Sequence, residues 1–153
     1  KWNKEIAPIE DSLKRMAKEA GFLSPCKNPN GKYGFKKLNG EIVIPGQWKE
    51  VWPFREGLAV VSSSNNRYGL IDKTGNVITP CKWMSIGRFS EGVLPVKDEN
   101  GFWGYIDKSG CEIIPCQWKD AGSFSEGLAA IKNNSDKWGY IDRYGEILIS
   151  PQF

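Results

Sequence analysis

Six carboxylates recur in this chain at fixed intervals: Asp72, Asp107 and Asp142, and Glu56, Glu91 and Glu126, each set advancing by 35 residues. Paired carboxylates can do general acid and base work. A reactive centre is normally built once, however, and these residues occur three times. Each aspartate opens a four-residue stretch closed by glycine, "DKTG", "DKSG" or "DRYG", where its side chain is suited to capping local backbone N–H groups. Each glutamate likewise precedes a glycine before an apolar run. Turn structure is the expected role, with weak calcium binding by the turn carboxylates as the chemical alternative.

The remaining reactive residues narrow the chemistry further. Histidine is absent, which excludes Ser-His-Asp and Cys-His catalysis and histidine metal sites. The cysteines are Cys26, Cys81, Cys111 and Cys116, with Cys81 and Cys116 one period apart. A disulfide between those two would favour an oxidising compartment, but the irregular spacing is no disulfide framework and contains no CxxC pair for zinc. Reduced, partly buried thiols are expected. No GxxxxGK[ST] phosphate loop is present. The chain is therefore expected to be no enzyme and to hold no metal and no cofactor.

The spacing of these residues belongs to a pattern that runs through most of the chain. The aromatic-glycine pairs Tyr33-Gly34, Tyr68-Gly69, Trp103-Gly104 and Trp138-Gly139 are separated by 35 residues, as are Gly40, Gly75, Gly110 and Gly145. Trp48, Trp83, Trp118 and Phe153 keep the same step, and so do Pro45, Pro80 and Pro115. A second block, "FREGLAVV", "FSEGVLPV" and "FSEGLAAI", is in register with the first. Extending it backwards makes "FLSPCK" at 22–27 a worn opening copy. Residues 22–153 thus read as one repeat domain of four units, about 22–56, 57–91, 92–126 and 127–153. Self-similarity at such a period signals a repeat architecture, in which no unit can bury its own apolar face alone.

Within a unit the periodicity is that of strands. In "WGYID" Trp103 and Tyr105 point to one face and Gly104 and Ile106 to the other. The "DKSG" type of sequence fits a type I turn closed by a left-handed glycine. The next run, "EIVIP" or "CEIIP", reads as a strand that ends at proline or lies at an edge, because proline removes a ladder donor. "FSEG" then leads into a third strand such as "LAAIK", with a fourth short strand possible near "QWKDA". Residues 1–21 differ: Pro8 at a helix start, Ile9, Leu13, Met16 and Ala20 on one face, and Gly21 at the end predict an amphipathic helix over about 8–20. Its expected role is to cap the open end of the array. The fold class is all-β tandem repeats of antiparallel meanders in an open, solenoid-like stack with one N-terminal α-helix; a propeller-like ring is the alternative.

The chain resembles the WG-repeat family, also described as KWG repeats, found mainly in bacterial proteins. The resemblance rests on the aromatic-glycine pairs, the "YIDK.G" turn, the strand reaching proline and "F.EGLA", over about 22–153. The first unit departs from it, with Lys37 in the slot of Asp72, Asp107 and Asp142. The resemblance implies a β-repeat scaffold regarded as an interaction module, and no catalytic residue.

Composition limits the partners. Net charge is +3 in 153 residues, with lysines scattered among acids, so a nucleic-acid surface is not expected. No apolar run approaches the roughly 20 residues of a membrane-spanning helix, so no membrane insertion is expected. No secretory leader is readable, but the chain starts at Lys1 and not at methionine, which leaves a trimmed fragment open and the compartment undecided. The connectors "KEVWP", "MSIGR" and "KDAGS" vary while the framework holds, which is how a scaffold carries recognition. The binding candidates are Lys49, Trp52, Arg88 and Lys119. A protein or peptide is the expected ligand. The alternatives are a glycan or the cell envelope, bound through exposed aromatics such as Trp52, which glycine replaces in the next two units, and service as an accessory domain of a larger enzyme.

Overall fold

The computed structural model describes residues 22–153. The helix expected over 8–20 lies outside the described residues. Within them the chain is all-β and forms four antiparallel sheets. The first contains β1 (Ser24–Lys27), β2 (Tyr33–Lys36) and β3 (Ile42–Trp48). The second contains β4 (Glu50–Val51), β5 (Leu58–Ser62), β6 (Tyr68–Asp72) and β7 (Val77–Trp83). The third contains β8 (Ser85–Ile86), β9 (Val93–Lys97), β10 (Trp103–Asp107) and β11 (Glu112–Trp118). The fourth contains β12 (Asp120–Ala121), β13 (Ala129–Lys132), β14 (Trp138–Ile141) and β15 (Ile147–Ile149). In each, strands neighbour one another in chain order. The short strand after each Trp48-type residue pairs forward, as Glu50 with Ser62 and Val51 with Val61, so it opens the next sheet.

Three kinds of turn make the meander. In the "DKSG" turn, Asp107 Oδ1 accepts from the backbone N–H groups of Ser109 and Cys111 at 2.9 and 3.0 Å and from the Ser109 hydroxyl at 2.6 Å. Gly110, at φ 85°, donates to the Asp107 carbonyl at 3.0 Å. A second capped turn joins the two central strands, where Asp98 Oδ1 accepts from the N–H groups of Asn100 and Phe102. The "EG" pairs form two-residue hairpins in which Arg55 and Leu58 exchange both backbone hydrogen bonds, with Glu56 at φ 53° and Gly57 at φ 82°. Two successive positive φ values define a type I′ turn. A glutamate in the left-handed region costs about 1–2 kcal/mol, and each of the three carries it. Two of the three carboxylates reach another repeat: Glu91 Oε1 accepts from Gly127 N at 3.0 Å, and Glu56 lies 4.0 Å from Lys108.

Proline does not end its strand. β11 runs through Pro115 to Trp118, an edge strand with a bulge: Trp103 faces Trp118 and Tyr105 faces Ile114, so Gly104 is opposed by three residues. The bulge folds over the glycine so closely that a Cβ there would lie 2.6 Å from the Ile114 carbonyl oxygen and 2.7 Å from Cys116 N. The aromatic-glycine glycine is fixed by this approach of its own sheet's backbone.

The sheets pack face to face, and the core lies between them. Phe35, Ile44 and Trp48 meet Ala59, Val61 and Ile71. Leu58, Leu70 and Trp83 meet Leu94, Val96 and Ile106, while Tyr105, Ile114 and Trp118 meet Ala129, Ile131 and Ile141. Tyr105 and its neighbour Ile106 therefore serve opposite interfaces, as strand alternation requires. Burying each such aliphatic side chain contributes about 1.5–3 kcal/mol. The ring of each aromatic-glycine pair is only half-buried; Trp103 packs against the core from its margin. The core rings stand two positions later, at Phe35 and Tyr105, and in the Trp48 series. No strand pairing or shared core joins the first and last described sheets, so the array is open and not closed into a ring. On the last sheet the equivalent face, carrying Tyr140, Ile149 and Phe153, is exposed.

Candidate functional site

Each interface has the same position for a large side chain rising from the second-last strand of one sheet toward the connector of the next. At the first interface Phe35 fills it and meets Phe54 with ring centroids 4.6 Å apart. At the third, Tyr105 meets Phe124 at 4.9 Å, and its hydroxyl donates to the Gly122 carbonyl at 2.7 Å. Burial, with the charge of Asp120 adding to it, pushes the Tyr105 phenol above its ordinary range, so it stays protonated. At the second interface the position holds Leu70, and Leu94 stands in the slot of Ala59 and Ala129, so that two fully buried leucines fill what an aromatic ring and an alanine fill elsewhere; a cleft of about 350 Å³ opens beside them.

Leu70 and Leu94 are part of the apolar lining, Phe89 stands on one side, and Trp52 and Tyr68 stand on the other, 5.7 Å apart at 54°. Arg55 and Arg88 complete the rim. Two main-chain bonds hold the connectors that frame it, Trp52 N to the Val60 carbonyl at 2.9 Å and Gly87 N to the Pro95 carbonyl at 2.8 Å. No carboxylate lines the cleft. Glu56, next in sequence to Arg55, and Glu91, two residues past Phe89, are engaged elsewhere, Glu56 toward Lys108 and Glu91 on Gly127 N. The cleft is thus apolar within and positive at its mouth, with a size at the lower end of ligand pockets.

Of the four binding candidates, the structure brings Trp52 and Arg88 to this cleft; Trp52 remains 38% exposed. Lys49 and Lys119 are elsewhere and do the same mechanical job one repeat pair apart. Lys49 Nζ donates to Asn66 Oδ1 at 2.7 Å, and Lys119 pairs with Asp136, which Lys132 also approaches at 3.5 Å. The hydrogen bond from Lys119 holds the Asp136 carboxyl below its usual range. Arg55, Tyr68 and Leu70 were not singled out in the sequence, although a leucine in a column otherwise holding Phe35, Tyr105 and Tyr140 was a readable signal.

The other reactive groups are structural. One oxygen of each turn aspartate is taken up by backbone N–H groups, and the side-chain hydrogen bonds of Thr74 and Ser109 lower the carboxyls of Asp72 and Asp107. All four cysteines are free thiols. Cys81 and Cys116 point at the carbonyls of Val61 and Val96, 3.9 Å away in each case. Burial first, then the charges of Glu112 and Asp98, pushes the Cys116 thiol up to about 12. Among the described residues no helix is long and apolar enough to cross a membrane.

The fold defines a class: tandem antiparallel meanders of 35-residue period, one three-stranded and three four-stranded among the described residues, stacked through alternating faces. The family model for the WG-containing repeat matches residues 33–66, 68–101, 103–136 and 138–153, and the chain belongs to that family. No curated protein matches it. Among solved structures, the computationally designed Ika8 protein is similar at 12% identity and a TM-score of 0.49, over 82% of this chain and 44% of that one. The WD40 beta propeller domain of Doa1 is similar at 14% identity and a TM-score of 0.39, over 85% of this chain and 50% of that one. The chain therefore spans no more than half the length of either.

Proposed function

We propose that this chain is a non-enzymatic repeat scaffold that binds a protein or peptide segment in the cleft between its second and third sheets. The observation that supports this reading most is the cleft itself, a concave and largely apolar site at the second interface whose lining includes Trp52, Arg55 and Arg88. Such a site, with few polar groups and an aromatic wall on rigid strands, suits a side-chain anchor. The repeated aspartates each accept backbone N–H groups of their own turns, which favours a structural over a catalytic role for them. Selection from a random peptide library tests the reading. Selected peptides should compete for one site and lose at least about tenfold in affinity on Trp52→Ala; binding indifferent to that substitution counts against the cleft.

A second reading is glycan binding, which the partial exposure of Trp52 favours. The tilt between Trp52 and Tyr68 makes them a wedge and not a flat stacking platform. Glycan-array binding lost on Trp52→Ala, with no peptide selected, would support it over the first.

A further inference from the structure

We propose that the exposed face of the fourth sheet is a dimerisation surface, on which the same face of a second copy of this chain docks about a two-fold axis. The surface lies apart from the cleft and does not depend on it. In each of the first three sheets this face meets the following sheet. Its rings Phe35 and Tyr105 are 0% exposed there, and the Trp48 series is buried as well. The fourth sheet continues the same columns with Leu128, Tyr140, Ile149 and Phe153, which are 38–66% exposed. Trp138 flanks them, half-buried. At the margin Lys132 lies 5.8 Å from the Trp138 ring centroid and pairs with Asp136, so the centre of the face stays apolar. A contiguous apolar surface of this kind marks an interaction site.

The chain offers two surfaces to oppose it, and their residues separate them. A head-to-tail stack would use the outward face of the first sheet. At the slots where the second sheet presents Ala59, Val61 and Ile71, that face carries Ser24, Cys26 and Lys36. Pressing Lys36 onto an apolar surface would take its ammonium out of water without a partner. The fourth sheet's own face has the complement it needs. Tyr140 and Ala130 are direct cross-strand partners on β14 and β13 and share one face. In the other sheets the residue opposite the ring column is Pro25, Val60 or Pro95, so the alanine leaves a notch that they fill. A two-fold axis parallel to the strands and midway between β13 and β14 sets Tyr140 of each copy on Ala130 of the other. The contact repeats the combination of a ring with an alanine found at the first and third interfaces, where Phe35 is packed with Ala59 and Tyr105 with Ala129. Such an isologous contact closes at two copies.

The test is sedimentation equilibrium on the whole chain, with amide NMR spectra over a dilution series. A face four short strands wide is smaller than a standard interface, so a Kd of about 10–100 µM is expected. Concentration-dependent shifts should fall at Leu128, Ala130, Tyr140 and Ile149. Tyr140→Asp should weaken the dimer at least about hundredfold, because the two-fold axis brings the lost ring and the new charge into the contact twice. Ala130→Phe, which fills the notch, should weaken it about tenfold or more, and circular dichroism should match the parent for both variants. Lys36→Glu, at the other end of the array, should leave the dimer unchanged. A monomer at about 1 mM, far above the expected Kd, overturns the proposal. So does assembly beyond two copies, or a dimer that Lys36→Glu dissociates and Tyr140→Asp does not. Concentration-dependent shifts confined to another surface overturn it without recourse to any variant.

Discussion

Gly104→Ala should destabilise the protein although Gly104 is in an ordinary strand conformation that alanine adopts freely. The added Cβ would lie 2.6 Å from the Ile114 carbonyl oxygen, 2.7 Å from Cys116 N and 2.8 Å from Cys116 Cα. All three are backbone atoms, so no side chain can swing away, and the bulge must retreat by roughly 0.7 Å to reach ordinary contact distances. Overpacking of this kind costs about 1–3 kcal/mol. The lower unfolded-state entropy of alanine returns about 0.4–1 kcal/mol. Because the retreat also displaces Trp118, buried at the end of the same strand, a net loss of about 2 kcal/mol is expected. For a domain of this size that lowers Tm by roughly 4–8 °C, readable by thermal denaturation followed by circular dichroism. Gly92→Asn is the control: Gly92 has φ 76° and nothing within 4 Å of its missing Cβ, so asparagine, which tolerates that region, should cost less than about 1 kcal/mol. A Gly104→Ala protein as stable as the parent, or one more stable than Gly92→Asn, would refute the close-approach explanation.

Other consequences follow from the same geometry. Tyr105→Leu, which leaves a leucine facing Ala129 where the second interface sets Leu70 against Leu94, should lose about 2–4 kcal/mol in urea denaturation through the missing ring and the Gly122 hydrogen bond. Asp107, lowered chiefly by the Ser109 hydroxyl, contributes stability that is present above its unfolded value of about 4 and is lost as pH falls through its lower folded value; Ser109→Ala should therefore move the onset of acid unfolding to higher pH. In alkylation at about pH 8 followed by mass spectrometry, exposed Cys111 should react first and Cys116, its thiol raised by burial and two nearby acids, should lag by orders of magnitude; equal rates would contradict its described environment.

Much of the repeat frame was legible because it depends on local chemistry. An aspartate three residues before a glycine can make its turn unaided, and the alternation of Tyr105 and Ile106 needs only strand geometry. The bulge was not legible. It depends on three residues opposing one, a register that no single strand carries, so of the two places proline suggests, a strand end or an edge, the edge holds and the strand continues for three more residues. The type I′ turn at Glu56 was obscured for a different reason, since glutamate is a poor resident of positive φ and its compensation comes from another repeat. At the site, Trp52 and Arg88 stood out as variable connector residues, but Lys49 and Lys119 looked equally free. Their partners Asn66 and Asp136 lie in a turn 17 residues away in sequence, which only the folded hairpin brings near. The cleft itself is framed by connectors of two successive sheets, which no single repeat shows.

The thermal stability of Leu94→Ala, alone and with Leu70→Tyr, tests most directly the claim that each interface of the stack is filled by a matched set, a ring with alanine at the first and third and leucine with leucine at the second. Leu94→Ala alone should cost about 2–5 kcal/mol and lower Tm by roughly 5–15 °C, and adding Leu70→Tyr, which copies the third interface, should restore at least half of the loss. A double variant no more stable than Leu94→Ala would contradict the account.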